Sequence, residues 1–523
     1  MLKVKKSKII SLVLAVLLMI SALVGCTGSP EKTEVDNSGQ NLSSGAEDKK
    51  AKDTITILVK AEPTTIDPAQ QNNEDIGLIT NFVYDGLFDL NEKGELVLGL
   101  LEDYEIEDDI TVRFKLKEGI KYSDGTDLTS KDVFFDIKRL QESPVSQSHY
   151  RFVDLGNSVI EDDHNFVLKF HQAWAPFQNI MSTGRGSIYS QAAFEALGDE
   201  RFGRTSVGTG PYKVVNWISG TQIELTRNEH YWGEPPKTKN IIIKFIGEPT
   251  ARVIELETGA ADISYYIEGN DIERVNSIDG YHIEQGDSYR YFTFLMSMQE
   301  PLFQDVRVRE AMTLAINKEA LVRAATNGVA TPINGYGPPL VEGVMEMPEI
   351  PYDVEKAKQL MAEAGYPQGF EIELHVVPST LFQRQAEVIQ SMWAEIGIKA
   401  NIVVSPLATY EAQNGGKFQA SIRDGNASEI SNVLIIYESS FGSRLQGNDD
   451  WLDEKLLELR TYYYGDPQRE IALKEIYDYL HEKRYSYPFM MMPTVYGVSD
   501  KVEGFIFHPT AMNINPNNWV VYE

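Results

Sequence analysis

The chain has 523 residues, with 48 Lys plus Arg against 77 Asp plus Glu and a formal net charge of −29. Its 42% apolar and 24% charged residues are the composition of a folded protein, and its negative surface repels phosphate, which excludes a basic nucleic-acid binder. A single cysteine, Cys26, excludes an internal disulfide and a cysteine-ligated zinc site.

Residues 1–25 read as an address. Lys3, Lys5, Lys6 and Lys8 form a basic start, and Ile9 to Gly25 is an apolar run broken only by two serines. That run falls short of the roughly 20 residues a spanning helix needs, so it reads as a secretory signal peptide. It ends in Leu23-Val24-Gly25-Cys26. This tetrapeptide resembles the lipobox of bacterial lipoproteins, which implies acylation of the Cys26 thiol and anchoring of the chain to a membrane. Residues 26–53, rich in Gly, Ser, Asn, Asp, Glu and Lys, are expected to be a flexible tether.

From Thr54 onward, strands and capped helices alternate. β-branched enrichment predicts strands at Thr54–Lys60, Val112–Lys117, Phe166–Phe170, Tyr212–Trp217, Ile223–Thr226, Ile241–Ile246, Phe370–Val377 and Lys399–Ser405. Pro249 to Gly259, Asp353 to Gly365 and Leu381 to Gly397 carry helix start and stop signals, and Asp305 and Asp466-Pro467 open two more helices. Asp124-Gly125-Thr126-Asp127 lacks the twelfth-position glutamate of a calcium loop and reads as a β-turn before a helix starting near Thr129. Gly208-Thr209-Gly210 is followed by no Gly-Lys-Ser/Thr and reads as a turn before a strand. Over 353–405 the order helix, glycine, strand, helix, glycine, strand implies an α/β layer, and the whole reads as a multi-lobed α/β protein.

Catalytic constellations are missing. No serine sits in Gly-x-Ser-x-Gly, and the eight histidines never pair as His-x-x-x-His. The chain is therefore read as a non-enzyme with no cofactor and no metal. The 26 Tyr, 22 Phe and 6 Trp, with clusters such as Tyr462-Tyr463-Tyr464 and Tyr289/Tyr291, suit either a ligand cleft or ordinary core packing.

Seven segments in order carry a resemblance. They are Thr65-Ile66-Asp67-Pro68, Tyr84-Asp85-Gly86-Leu87, Val112–Gly119 with Tyr122–Thr126 and Lys131-Asp132-Val133, Gly208–Tyr212, Asn228–Trp232, Asp305–Ala311 and Lys356–Tyr366. Together they resemble the bacterial extracellular solute-binding proteins of family 5, the peptide- and nickel-binding subunits of ABC importers. The resemblance implies a two-lobed periplasmic-binding-protein-like fold (type II, cluster C) with an extra domain inserted in the first lobe. The implied partition is lobe I at 54–90, 206–285 and 491–523, an insert at 91–205, and lobe II at 286–490. The implied role is capture of a peptide by lobe closure and delivery to permease and ATPase subunits. The protein would act as a monomer, lipid-anchored on the outer face of a bacterial cell membrane.

The same resemblance implies cleft positions. Peptide-binding members grip the ligand's ammonium with an aspartate in a pattern like Trp-x-x-Asp-Tyr-x-x-Pro; here Arg423-Asp424-Gly425-Asn426-Ala427-Ser428-Glu429-Ile430 has no tryptophan, and Ser428 falls where the aspartate belongs. Asp424, Glu429 or Glu74, in the segment Asn72-Asn73-Glu74, are the substitutes. Tyr150, Phe382 and Met491 are further cleft candidates, with packing as the alternative for each. The lost aspartate leaves room for a ligand without a free α-amine: an oligosaccharide, a nickel chelate or a modified peptide. A signalling-peptide receptor and a secreted hydrolase are the remaining readings.

Overall fold

Local signals place the elements as the sequence implies. Asp353 accepts the Lys356 backbone N–H at 2.8 Å and opens the helix Val354–Glu363, and Gly365 beyond its end has φ +92°. Asp305 and Asp466 cap the helices Val306–Leu314 and Pro467–Lys483 in the same way. Thr129 and Asp132 form a reciprocal capping box at the start of Ser130–Glu142, just after the turn in which Asp124 accepts from Thr126. The computed structural model describes residues 50–523 apart from 71–73, 92–93, 206, 407–408, 411–417, 440–446, 464 and 510–514, and 50–523 form one compact unit.

Two sheets organise the body. In the seven-stranded sheet the order is Tyr212–Ile218, Gln222–Arg227, Asn240–Phe245, Thr54–Val59, Ile263–Tyr265, Thr494–Ser499 and Tyr281–Gly286. Thr54–Val59 lies inside it, parallel to both neighbours. It buries Ile55, Ile57 and Val59 in one core and Leu58 in another, as a strand covered on both faces must. The six-stranded sheet runs Thr331–Pro332, Ser486–Met491, Arg290–Met296, Ala420–Asn426, Phe370–Val376 and Ile398–Val404. Its last two strands are parallel, and the helix Thr380–Ala394 supplies the crossover that parallel pairing requires. The fold is α/β, with two lobes and a domain inserted in the first.

The inserted domain holds the four-stranded antiparallel sheet Leu101–Asp108, Thr111–Leu116, Asn165–Phe170, Val153–Ile160 and its own aromatic core. A buried fork ties it to the first lobe: Arg139 donates to Asp67 Oδ1 at 3.0 Å and Oδ2 at 2.7 Å. Gly208 and Gly210 press on the backbone of Val83, and a Cβ at Gly208 would lie 2.0 Å from the Val83 carbonyl oxygen. Those glycines serve close backbone approach, not phosphate binding.

Candidate ligand site between the lobes

Among the described residues, the chain passes between the two large sheets twice, at 287–289 and 492–493, and the two links lie side by side. The Ser288 hydroxyl donates to the Met492 carbonyl at 2.5 Å, and the Met492 N–H donates to the Arg290 carbonyl at 2.9 Å. Antiparallel pairing continues on both sides, with Gly286 opposite Thr494 and Tyr291 opposite Met491. A narrow two-strand ribbon of this kind concentrates rotation in a few residues, which is the geometry of a hinge.

The inserted domain also meets the second lobe directly. Arg151 Nη2 donates to Glu438 Oε1 at 2.6 Å, and Arg460 Nη2 pairs with Glu438 Oε2 at 2.6 Å. The Phe152 ring lies against both guanidiniums, 4.8 Å from that of Arg151 and 5.8 Å from that of Arg460. The Ala175 N–H donates to the Arg460 carbonyl at 2.8 Å. Beside these contacts lies a small cavity of about 10 Å³ whose wall includes His149 and Trp174 from the insert and Ser431, Asn432 and Arg460 from the second lobe. Burial, reinforced by the nearby guanidiniums of Arg185, Arg151 and Arg460, lowers the His149 pKa to about 3. The His149 imidazole is therefore neutral at physiological pH.

The positions expected from the sequence are distributed unevenly around this site. Tyr150 adjoins it, buried edge-on against Trp174. Glu429 also adjoins it, but its carboxylate is engaged: it is fully buried, pairs with Arg469 at 2.5 Å, accepts from the Ser431 hydroxyl at 3.0 Å and caps the short helix Ile430–Leu434. Ser428 precedes it, half-buried. Asp424 is exposed and pairs with Arg290 at 3.0 Å on the edge of the strand Ala420–Asn426, which Asn426 ends. Arg423 is buried, its guanidinium 4.5 Å from the Tyr410 ring. Phe382 packs edge-on against Phe292 in the core of the second lobe, and Met491 is buried in the strand Ser486–Met491. The structure does not bring these two to the cavity. Glu74 opens the helix Glu74–Val83; Asn72, Asn73 and Cys26 lie outside the described residues.

A wider cavity of about 450 Å³ opens in the first lobe between the 84–91 stretch and the C-terminal segment 504–518. Asp85 faces it, accepting from the Thr209 hydroxyl and the Trp232 indole N–H, each at 2.8 Å.

The sequence model for bacterial extracellular solute-binding proteins, family 5 middle, matches residues 95–444. The chain belongs to the bacterial extracellular solute-binding proteins of family 5. Glutathione-binding protein GsiB of Escherichia coli (strain K12) is 29% identical over 406 residues, which cover 77% of each chain. Two solved structures share the fold. One is the ABC transporter-associated periplasmic binding protein DppA from Helicobacter pylori in complex with peptide STSA (TM-score 0.79, 21% identity, 90% of this chain and 98% of that one). The other is NikA from Brucella suis in complex with Fe(III)-EDTA (TM-score 0.79, 19% identity, 90% of this chain and 99% of that one).

This family-5 protein is thus a solute-binding protein of an ABC importer, and its relatives bind substrates instead of transforming them. The ion-paired residues Arg151, Glu438 and Arg460, of which Arg460 lines the cavity, belong to no motif, and their spacing carried no signal. Tyr150, a cleft position implied by the family resemblance, stands beside His149 and Trp174 of the cavity wall.

Proposed function

We propose that the protein is an extracytoplasmic, lipid-anchored receptor that captures small peptides by closing its lobes and presents the closed form to a permease. The observation that carries this reading is the pairing of a two-strand hinge with a pocket whose opposite walls come from different lobes. A ligand that touches both walls stabilises only the closed arrangement, so binding shifts the population toward it. The name of the glutathione-binding relatives and the bound peptide of the Helicobacter pylori neighbour support a small peptide as cargo. Anchoring through Cys26 rests on the Leu23-Val24-Gly25-Cys26 tetrapeptide and places the body on the outer membrane face through the tether 26–53. Delivery to permease and ATPase subunits follows from the family, and a monomer suffices for it.

Ser428, standing where peptide-binding members have an aspartate, favours a second reading in which the ligand lacks a free α-amine. Calorimetric titration of the purified full chain with trialanine and with N-acetyl-trialanine separates the two. Affinity lost on acetylation supports an ammonium grip, with Glu74 as its candidate because Asp424 and Glu429 are already in ion pairs. Equal affinity for both removes the ammonium grip and leaves peptide capture intact. Binding of an oligosaccharide or a nickel chelate, with neither peptide bound, overturns the peptide reading.

A further inference from the structure

One set of contacts joins the inserted domain to the second lobe without passing through the hinge. From the second lobe come Glu438, at the end of the short turn Ile435–Tyr437, and the connection 460–463 that follows the helix Asp450–Leu459. From the insert come Arg151, Phe152 and Ala175. Glu438 divides its carboxylate between the two sides: Oε1 accepts from Arg151 Nη2 and Oε2 pairs with Arg460 Nη2, each at 2.6 Å. The Ala175 N–H donates to the Arg460 carbonyl at 2.8 Å, and Tyr463 packs against the aromatic core of the insert.

The hinge makes these contacts conditional. The fork from Arg139 to Asp67 fixes the insert to the first lobe, and among the described residues the links 287–289 and 492–493 carry the chain into the second. Rotation about those links moves Glu438, Arg460 and Tyr463 away from the insert, so the contacts belong to the closed arrangement.

Parting them leaves no buried charge alone. Glu438, whose side chain is 9% exposed, keeps Arg460, which lies in its own lobe. Arg151, already 30% exposed, passes to water. The penalty that attends most broken buried pairs is therefore absent, and the contact can open and close reversibly.

We propose that Arg151 and Glu438, with Tyr463 beside them, form a latch that populates the closed form before any ligand arrives. The inference rests on the lobe-closure reading above. A ligand held only by the closed form binds with an apparent affinity proportional to the share of molecules closed. The latch residues are thus positioning residues, which raise affinity without touching the ligand.

Small-angle X-ray scattering and calorimetric titration of the purified full chain test this, with trialanine as the probe. Arg151→Ala leaves the Glu438–Arg460 pair intact within its lobe. Free of ligand, this variant should show a larger radius of gyration than the unaltered chain. Its trialanine affinity should fall about three- to tenfold, the worth of one partly exposed hydrogen bond. Saturating trialanine should bring both proteins to the same compact form. Arg151→Lys should recover part of both effects, and Tyr463→Ala should move both in the direction of Arg151→Ala. Equal ligand-free radii for the unaltered chain and folded Arg151→Ala overturn the latch; closure still stands if trialanine compacts both. Reduced affinity at equal ligand-free radii also overturns it and assigns Arg151 to the ligand. Ligand-free expansion with no trialanine bound supports the latch and counts against the peptide reading. Equal radii throughout, with trialanine bound, overturn latch and closure together. If Arg151→Ala does not fold by circular dichroism, Arg151→Lys and Tyr463→Ala carry the same comparison.

Discussion

Asp67 and Arg139 show what a single residue pair does here. Asp67 stands in the Thr65–Pro68 segment and is fully buried beneath an arginine of the insert 72 residues away. Removing Asp67 leaves Arg139 with the exposed Asp199 as its remaining carboxylate partner, so Asp67→Ala should lower the unfolding free energy by about 3 kcal/mol in urea denaturation. A loss under about 1 kcal/mol would show that the pair does not hold the insert.

Asp136 gives a pH-dependent counterpart. Its Oδ2 accepts the Tyr189 N–H at 2.9 Å, its Oδ1 has no partner among the described residues, and burial raises its proton affinity well above the usual carboxylate range, with Asp132 adding to the effect. The unfolded chain releases this proton near pH 4 while the native chain keeps it. From there upward the native state holds more protons, so stability falls with rising pH until the folded pKa is passed. Asp136→Asn should lack that component: its unfolding free energy relative to the unaltered chain should rise between pH 4 and pH 8. A difference that stays flat across this range would contradict the assignment.

At the scale of elements, the strands and caps were legible because they are local. Asp353 and Gly365, or the apolar alternation of Phe370–Val376, need only a few neighbours in sequence to declare themselves. The contact between insert and second lobe was not legible, because its parts lie far apart in sequence. Arg151 and Glu438 are separated by 287 positions, and nothing within either local stretch announces the partner. Glu429 shows the same limit in reverse. Its place beside Ser428 suggests a ligand grip, yet tertiary packing delivers Arg469 to it and makes it the cap of Ile430–Leu434. Glu429→Gln should therefore cost about 3–5 kcal/mol of stability, as for any broken buried pair. Reduced peptide affinity at unchanged stability would instead assign it to the ligand.

At the scale of the molecule, the proposed function depends on two features: a leash that keeps the receptor near its permease, and a hinge that lets two lobes trap cargo. The leash is tested by Cys26→Ser. The variant should be released to the medium or accumulate as unprocessed precursor, as followed by fractionation and immunoblotting; processed protein still retained on membranes would contradict lipid anchoring.

The hinge and pocket stand on one claim, that a small peptide is the ligand which holds the lobes together. Thermal unfolding of the full chain, stripped of bound ligand, against peptides of two to six residues, short oligosaccharides and nickel tests it most directly. A ligand present at a hundred times its dissociation constant adds about 2.7 kcal/mol, enough to raise the unfolding midpoint measurably. The account predicts a rise with peptides and none with sugars or nickel. A rise with sugars or nickel and none with any peptide would contradict it.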